Sequence, residues 1–274
     1  MNSPARDHVP EDVKRQLRQQ AGFGCVACGL PVFQYHHIIP WEVEQHNRVG
    51  DMMVVCPNHH DQCTKGAILE PEQRSWKAKP FNIERGYVDG QLKINQSYCA
   101  VACGSCLMVN DGTQVRIDGE PLLSLSLDEG RVQLSLTLYD EHDAPLAIIQ
   151  NEWVSGDPSV WDLEATYQRL TVRRKAGDVR LRLNVAAEPM RLRAQLHKNG
   201  HLEDISPQGI FVNSLEAAGP SMAMEGVCFV AMRIDVDTTR PAFGLVPDSR
   251  YGGGSMVVGG TPLDALVRGV NSHI

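Results

Sequence analysis

Two short pairs of side chains, Cys25-x-x-Cys28 and Cys56-x-x-His59, constrain this chain more than any other feature. Some 27 residues separate them, so the chain must double back for the pairs to meet. Brought together on two turns, they offer four soft or borderline ligands in a tetrahedral arrangement. Structural zinc is held in this way, and it stabilises a segment too small to build its own core. Cys pairs at this spacing in a reducing compartment read as metal ligands before they read as disulfides.

The same segment carries more imidazoles than one ion can use. His36 and His37 lie in "HHII", which reads as a strand, so their side chains point to opposite faces. His60 directly follows the ligand His59 where Pro57 opens an expected helix. The expectation is that zinc fixes the scaffold while a second set of imidazoles faces an open site. His46 reads as a solvated loop residue, and Tyr35 and Trp41 as packing around the knuckle.

The order of these elements, C-x-x-C, then H-H, then C-x-x-H-H, resembles the HNH (ββα-metal) endonuclease family over residues 11 to 66. The resemblance implies that Cys25, Cys28, Cys56 and His59 hold a structural Zn²⁺. It implies His37 as general base, with His36 and His60 as ligands of a catalytic divalent ion, Mg²⁺ or another. Asp51 stands five positions before the second zinc pair, where the family carries Asn to hold the base-bearing loop. Asp still accepts hydrogen bonds but has lost the amide donor. Some relatives carry a third imidazole where this chain has Thr64.

The implied chemistry is coherent. A phosphodiester is anionic and its alkoxide leaving group is poor. An imidazole with a pKa near ~6.5 can take a proton from water around neutral pH, while a cation offsets the charge growing on phosphate and leaving oxygen. The resemblance therefore implies a metal-dependent endonuclease acting on nucleic acid, double-stranded DNA in the first instance, in a setting such as bacterial restriction or phage defence. The alternative is a non-catalytic zinc-knuckle protein that binds nucleic acid or regulates without turnover.

A helix is expected from Pro10 to about Gln20, with carboxylates at its positive dipole end. It would expose Lys14, Arg15 and Arg18, either as a solvated face or as a phosphate-facing, nucleic-acid-binding one. Residues 1–79 hold nine Lys/Arg against nine Asp/Glu, and the remainder 17 against 24, which accounts for the net charge of −7. A nucleic-acid partner should therefore meet the N-terminal part.

The chain's 274 residues suit two domains. Residues 1–79 form the first and 80–90 a linker, since "WKAKPFNIERGY" shows no period. Residues 91–274 form a larger all-β domain, giving an α+β chain overall. That domain reads as an antiparallel sandwich, because apolar residues alternate strictly in "RVQLSLTLYD", "DVRLRLNV", "PMRLRAQLHKNG" and "CFVAMRIDV". Val179 should face in and Arg180 out. "VDG", "NDG" and "KNG" read as turns, and "RYGGGSMVVGG" as a loop. The domain would select the target, bind a partner protein, act as a sensor, or oligomerise the chain. Cys99, Cys103 and Cys106 read as core residues before they read as a metal site, and "NEWVSGDPSVWDL" as a crossover between sheets. No apolar run approaches the ~20 residues of a membrane span and no secretory signal is visible, so a cytoplasmic location is expected.

Overall fold

The computed structural model describes residues 9–96, 98–109, 112–150, 153–214, 222–237, 242–247 and 255–258, and the chain is mostly β. Its N-terminal part runs α1 (Glu11–Gln20), β1 (Gln34–His37), a 3-10 turn (Val49–Asp51), β2 (Met52–Val55), α2 (Pro57–Thr64), α3 (Glu70–Ala78) and α4 (Phe81–Arg85). α1 starts after Pro10, with Glu11 and Asp12 in its first turn. β1 and β2 pair antiparallel, placing His36 opposite Met53 and His37 opposite Met52. All four residues of β2 are buried. They join Leu17 of α1, Val26 and Cys63 of α2 in one small core.

The expected linker carries regular structure instead. α3 reaches Ala78, α4 follows, and the residues expected as a "VDG" turn open a strand, β3 (Val88–Gln91). α3 and α4 escape a periodicity reading because each is short and buries one polar residue, Gln73 and Asn82, in place of an apolar stripe. Asn82 is fully buried and donates from Nδ2 to the carbonyls of Gly22 and Gly29 at 2.9 and 3.0 Å. It clips the knuckle around Cys25 to α4. Gly29 has φ +77°, and a Cβ there would stand 2.3 Å from Asn82 Oδ1, so a side chain is excluded.

The β part continues with β4 (Ala100–Cys103), β5 (Cys106–Val109), β6 (Gln114–Ile117), β7 (Glu120–Asp128), β8 (Arg131–Tyr139), β9 (Pro145–Gln150), β10 (Trp153–Gly156) and β11 (Asp162–Ala165). Then come β12 (Arg169–Lys175), β13 (Asp178–Asn184), β14 (Met190–Lys198), β15 (His201–Ser206), β16 (Gly209–Ser214) and β17 (Met222–Met224). The last described strands are β18 (Val227–Val230), β19 (Met232–Asp237), β20 (Ala242–Pro247) and β21 (Ser255–Val258). One sheet has the order β20-β19-β6-β7-β8-β9-β10-β3; the other runs β11-β12-β13-β14-β4-β5-β18-β21, with β15 to β17 branching from β14. Both sheets feed one core, Val115, Leu134 and Ile149 from the first meeting Leu181, Leu192 and Phe229 from the second.

The strands are not all antiparallel as expected. β4 with β14, β5 with β18 and β6 with β19 are parallel pairs, made where late strands return beside early ones. Alternation holds in β8, which buries Val132, Leu134, Leu136 and Leu138, and in β14, which buries Met190, Leu192, Ala194 and Leu196. It breaks at β13. There Val172 pairs with Leu181 and Arg173 with Val179, so Arg180 is the extra residue of a β-bulge; it is buried, and Val179 only half-buried. "CFVAMRIDV" is two strands in different sheets, parted at Ala231, whose φ is +50°. "SMVV" of the expected terminal loop forms β21.

The "KNG" turn joins β14 to β15 as expected, with Asn199 and Gly200 both at positive φ. Asn110 and Asp111 of "NDG" lie outside the described residues. The Trp153–Trp161 segment crosses from one sheet to the other. Cys99, Cys103 and Cys106 are buried core residues. No described helix is long and apolar enough to cross a membrane.

Candidate metal centre and imidazole cavity

The knuckle is built from backbone outward. Gly29 N–H donates to Cys25 O at 2.8 Å and Cys25 N–H to Leu30 O at 2.9 Å, so the chain turns tightly between Cys25 and Cys28. Cys56 caps α2, with Pro57 in the first turn, and His59 follows on the same turn. The ligand atoms of Cys25, Cys28, Cys56 and His59 all lie within 4.8 Å of one another. Cys28 Sγ is 3.9 Å from Cys56 Sγ, and His59 Nδ1 is 3.3 Å from the Sγ of both Cys25 and Cys56. Tetrahedral zinc, with Zn–S near ~2.3 Å and Zn–N near ~2.0 Å, sets ligand edges of roughly 3.5–3.8 Å. The cluster could therefore hold a metal such as zinc with only small adjustments. Burial pushes the Cys25 thiol up to about 12 and raises Cys28 as well. A bound cation reverses that preference by stabilising thiolates. Among the described residues, no other group of three or more His, Cys or acidic side chains converges in this way.

A cavity of about 830 Å³ opens elsewhere on the same domain, and none of the four cluster residues lines it. Its walls include Lys14, Tyr35, His36, His37, Trp41 and His60. The rings of His36 and His60 stand 5.1 Å apart, edge to face. His36 Nε2 lies 3.1 Å from Gln73 Oε1, and Gln73 Nε2 donates to Ile68 O at 2.9 Å. That second bond fixes the amide orientation, which puts the His36 proton on Nε2 and leaves Nδ1 basic. Burial first, then the neighbouring His60, pushes His36 down to about 4, and burial also lowers His60. Both rings are therefore neutral near pH 7, the form that ligates a metal.

His37 Nε2 donates to the carbonyl of His46 at 3.0 Å, which makes Nδ1 its basic nitrogen. The rings of Trp41 and His46 stand 5.4 and 5.2 Å from it. His46 is buried and not solvated as expected: its Nδ1 accepts from Arg48 N–H at 3.3 Å, while its carbonyl and ring meet His37 and hold loop 38–48 against it. Asp51 acts on the same loop. Its carbonyl accepts from Ile38 N–H, and its carboxylate accepts from Arg48 of the loop and Arg74 of α3 at 2.8 and 3.1 Å. Those two guanidiniums, Arg48 first, hold its carboxyl below the usual range. Asp51 thus anchors the loop through salt bridges. Thr64 bonds back to His60 O at 2.8 Å.

The three cations of α1 are not an exposed triad. Arg18 is 3% exposed and turns one edge to Asp162 of β11, Nε at 2.8 Å and Nη2 at 2.9 Å, with Nη1 donating to the Tyr35 hydroxyl. It is a structural bridge to the β sheets and not a phosphate contact; a helical pattern could not reveal a partner 144 residues away. Arg15 lies over the Trp161 ring at 4.8 Å, and Lys14 pairs with Glu11 while lining the cavity. Gln73 escaped the sequence reading because no motif spacing singles it out.

No family model, curated protein or solved structure matches this chain.

Proposed function

We propose that the N-terminal part is a metal-dependent endonuclease of the HNH kind, hydrolysing phosphodiester bonds in DNA. The observation that carries the reading is the separation of two sets of ligands: four side chains converge on the knuckle, while His36, His37 and His60 share a different cavity. A zinc scaffold alone would require none of those three imidazoles.

In this reading His36 and His60 hold a divalent ion, which would supply charge neutralisation at the scissile phosphate. Two neutral imidazoles, with no carboxylate completing a ligand group among the described residues, suit a borderline transition-metal ion better than Mg²⁺. Gln73 orients His36 by accepting its Nε2 proton, as second partners of metal-binding histidines commonly do. His37 takes the proton of the attacking water on Nδ1, and its bond to His46 O keeps the ring aimed. Lys14 on the cavity wall meets the phosphate backbone.

The test is nicking of supercoiled plasmid with Mg²⁺, Mn²⁺ or Zn²⁺ by the full chain and by His37→Ala. Loss of cleavage in the variant at unchanged zinc content supports the assignment. Equal activity in the two proteins, or no cleavage with any ion, leaves the non-catalytic binding reading in its place.

A further inference from the structure

A second cavity, of about 530 Å³, lies where α1 meets the β sheets, on the opposite end of the Arg18 bridge from the imidazoles. Gln19 of α1 and Trp161 form one part of its wall; Glu141, Arg173, Arg174 and Arg180 form another. The last two arginines share an uncommon origin. Between β12 and β13 the register shifts twice. Arg180 is the extra residue at the first shift, and Arg174 at the second, where Arg173 pairs with Val179 and Lys175 with Asp178. Bulges re-aim side chains and gather next to functional sites. Here one of them drives a guanidinium into the protein.

That guanidinium is under-bonded. The Arg180 side chain is 2% exposed, with Nη1 against His197 Nε2 and Nη2 donating to Glu141 Oε2 at 3.0 Å. Its Nε has no hydrogen-bond partner among the described residues, and Asp178 Oδ1 stands 4.0 Å away. Burying a charged donor without a partner is costly unless something else meets it. Glu141 bridges Arg180 and Arg174 from a turn and is 41% exposed, so it is the movable member of the set. Asp140 also lines the cavity, but its carboxylate is engaged by the N–H groups of His142 and Ala144. Arg173 is committed to Asp162 and Glu164.

We infer that this cavity binds a nucleoside phosphate, whose anionic group displaces Glu141 from Arg174 and Arg180 while its planar base packs on Trp161. The volume lies in the range of small-ligand pockets. A buried guanidinium beside a half-exposed one, which Asp178 holds at 2.7 Å, suits a phosphate geometrically, and an indole that already stacks with Arg15 suits a flat ring. The inference does not depend on the nuclease reading, since no residue of the imidazole cavity takes part.

The experiment is calorimetric titration of the full zinc-loaded chain with AMP, GMP, CMP and UMP, with adenosine and inorganic phosphate as partial ligands. At least one mononucleotide should bind with a submillimolar Kd, and each partial ligand should bind about tenfold or more weakly. Arg174→Ala should weaken binding by about tenfold through loss of a charge-assisted pair. Glu141→Gln should tighten it, because the competing carboxylate is gone. Arg180→Met, checked by melting for a folded chain, should abolish it, whereas His37→Ala should leave it unchanged. Absence of binding by all four nucleotides at millimolar concentration would overturn the inference. So would equal affinity in Arg174→Ala, which would place the nucleotide in the imidazole cavity instead.

Discussion

Glu203 on β15 is wholly buried, opposite Leu196 on one side and Val212 on the other, and neither carboxylate oxygen has a hydrogen-bond partner among the described residues. Desolvation alone raises its pKa from 4.5 to about 8. The folded chain thus keeps a proton that the unfolded chain releases. Between these two values the native state binds more protons, so this carboxyl's contribution to stability is fully present below pH 4.5 and is lost as pH rises through 8. At 1.36 kcal/mol per unit, the whole loss is about 5 kcal/mol, of which about 3 has accrued by pH 7. Glu203→Leu removes the titration and fits the apolar cross-strand neighbours. Denaturant unfolding of both proteins from pH 4.5 to 8.5 isolates the effect, because other titrating groups cancel in the difference. The variant's advantage should widen by about 4 kcal/mol across that range. A difference that stays constant with pH would mean that the carboxyl is solvated or partnered, and would refute the reasoning.

Three further outcomes follow from the N-terminal site. Cys56→Ser should lose zinc stoichiometry, measured by atomic absorption, and unfold the knuckle and α2 together, because the small core leans on the ion; an unchanged melt would refute this. Gln73→Leu should weaken divalent-ion binding by about 10–100-fold at unchanged knuckle zinc, read by calorimetry; equal affinity would remove Gln73 from its orienting role. Asp162→Asn should cost about 3 kcal/mol in denaturant unfolding, since it removes the nearer charged partner of buried Arg18 and leaves only Glu164, at 3.5 Å; a loss within the error of the measurement would show the bridge to be dispensable.

What the sequence reveals and what it hides follow from range and regularity. The knuckle was legible because its Cys and His come in two pairs at a spacing that suits a metal. β8 and β14 were legible because one buried face imposes a period of two. Arg180 was not, because a single inserted residue reverses the faces and leaves no trace in composition. α3 was not, because its buried residue, Gln73, is polar and serves the site more than the core. Strand β1 with its two adjacent histidines could be anticipated locally. The bridge from Arg18 to Asp162 could not, since its partners are joined only by the fold.

That bridge changes the electrostatic account of the whole N-terminal part. Arg18 is spent on Asp162, Arg15 lies on Trp161, and Lys14 shares its charge with Glu11. Arg48 and Arg74 are tied to Asp51, with Glu44 and Glu70 on their far sides. The cations near the imidazole cavity are therefore largely neutralised within the protein, in a chain whose net charge is −7. Sequence-independent attraction to a polyanion needs uncompensated Lys and Arg, and this surface supplies few. On the nuclease reading, the phosphate must be met chiefly by the ion between His36 and His60, with Lys14 beside it. Substrate capture and chemistry would then draw on the same cation, and an ion-free protein should bind nucleic acid poorly as well as fail to cut it.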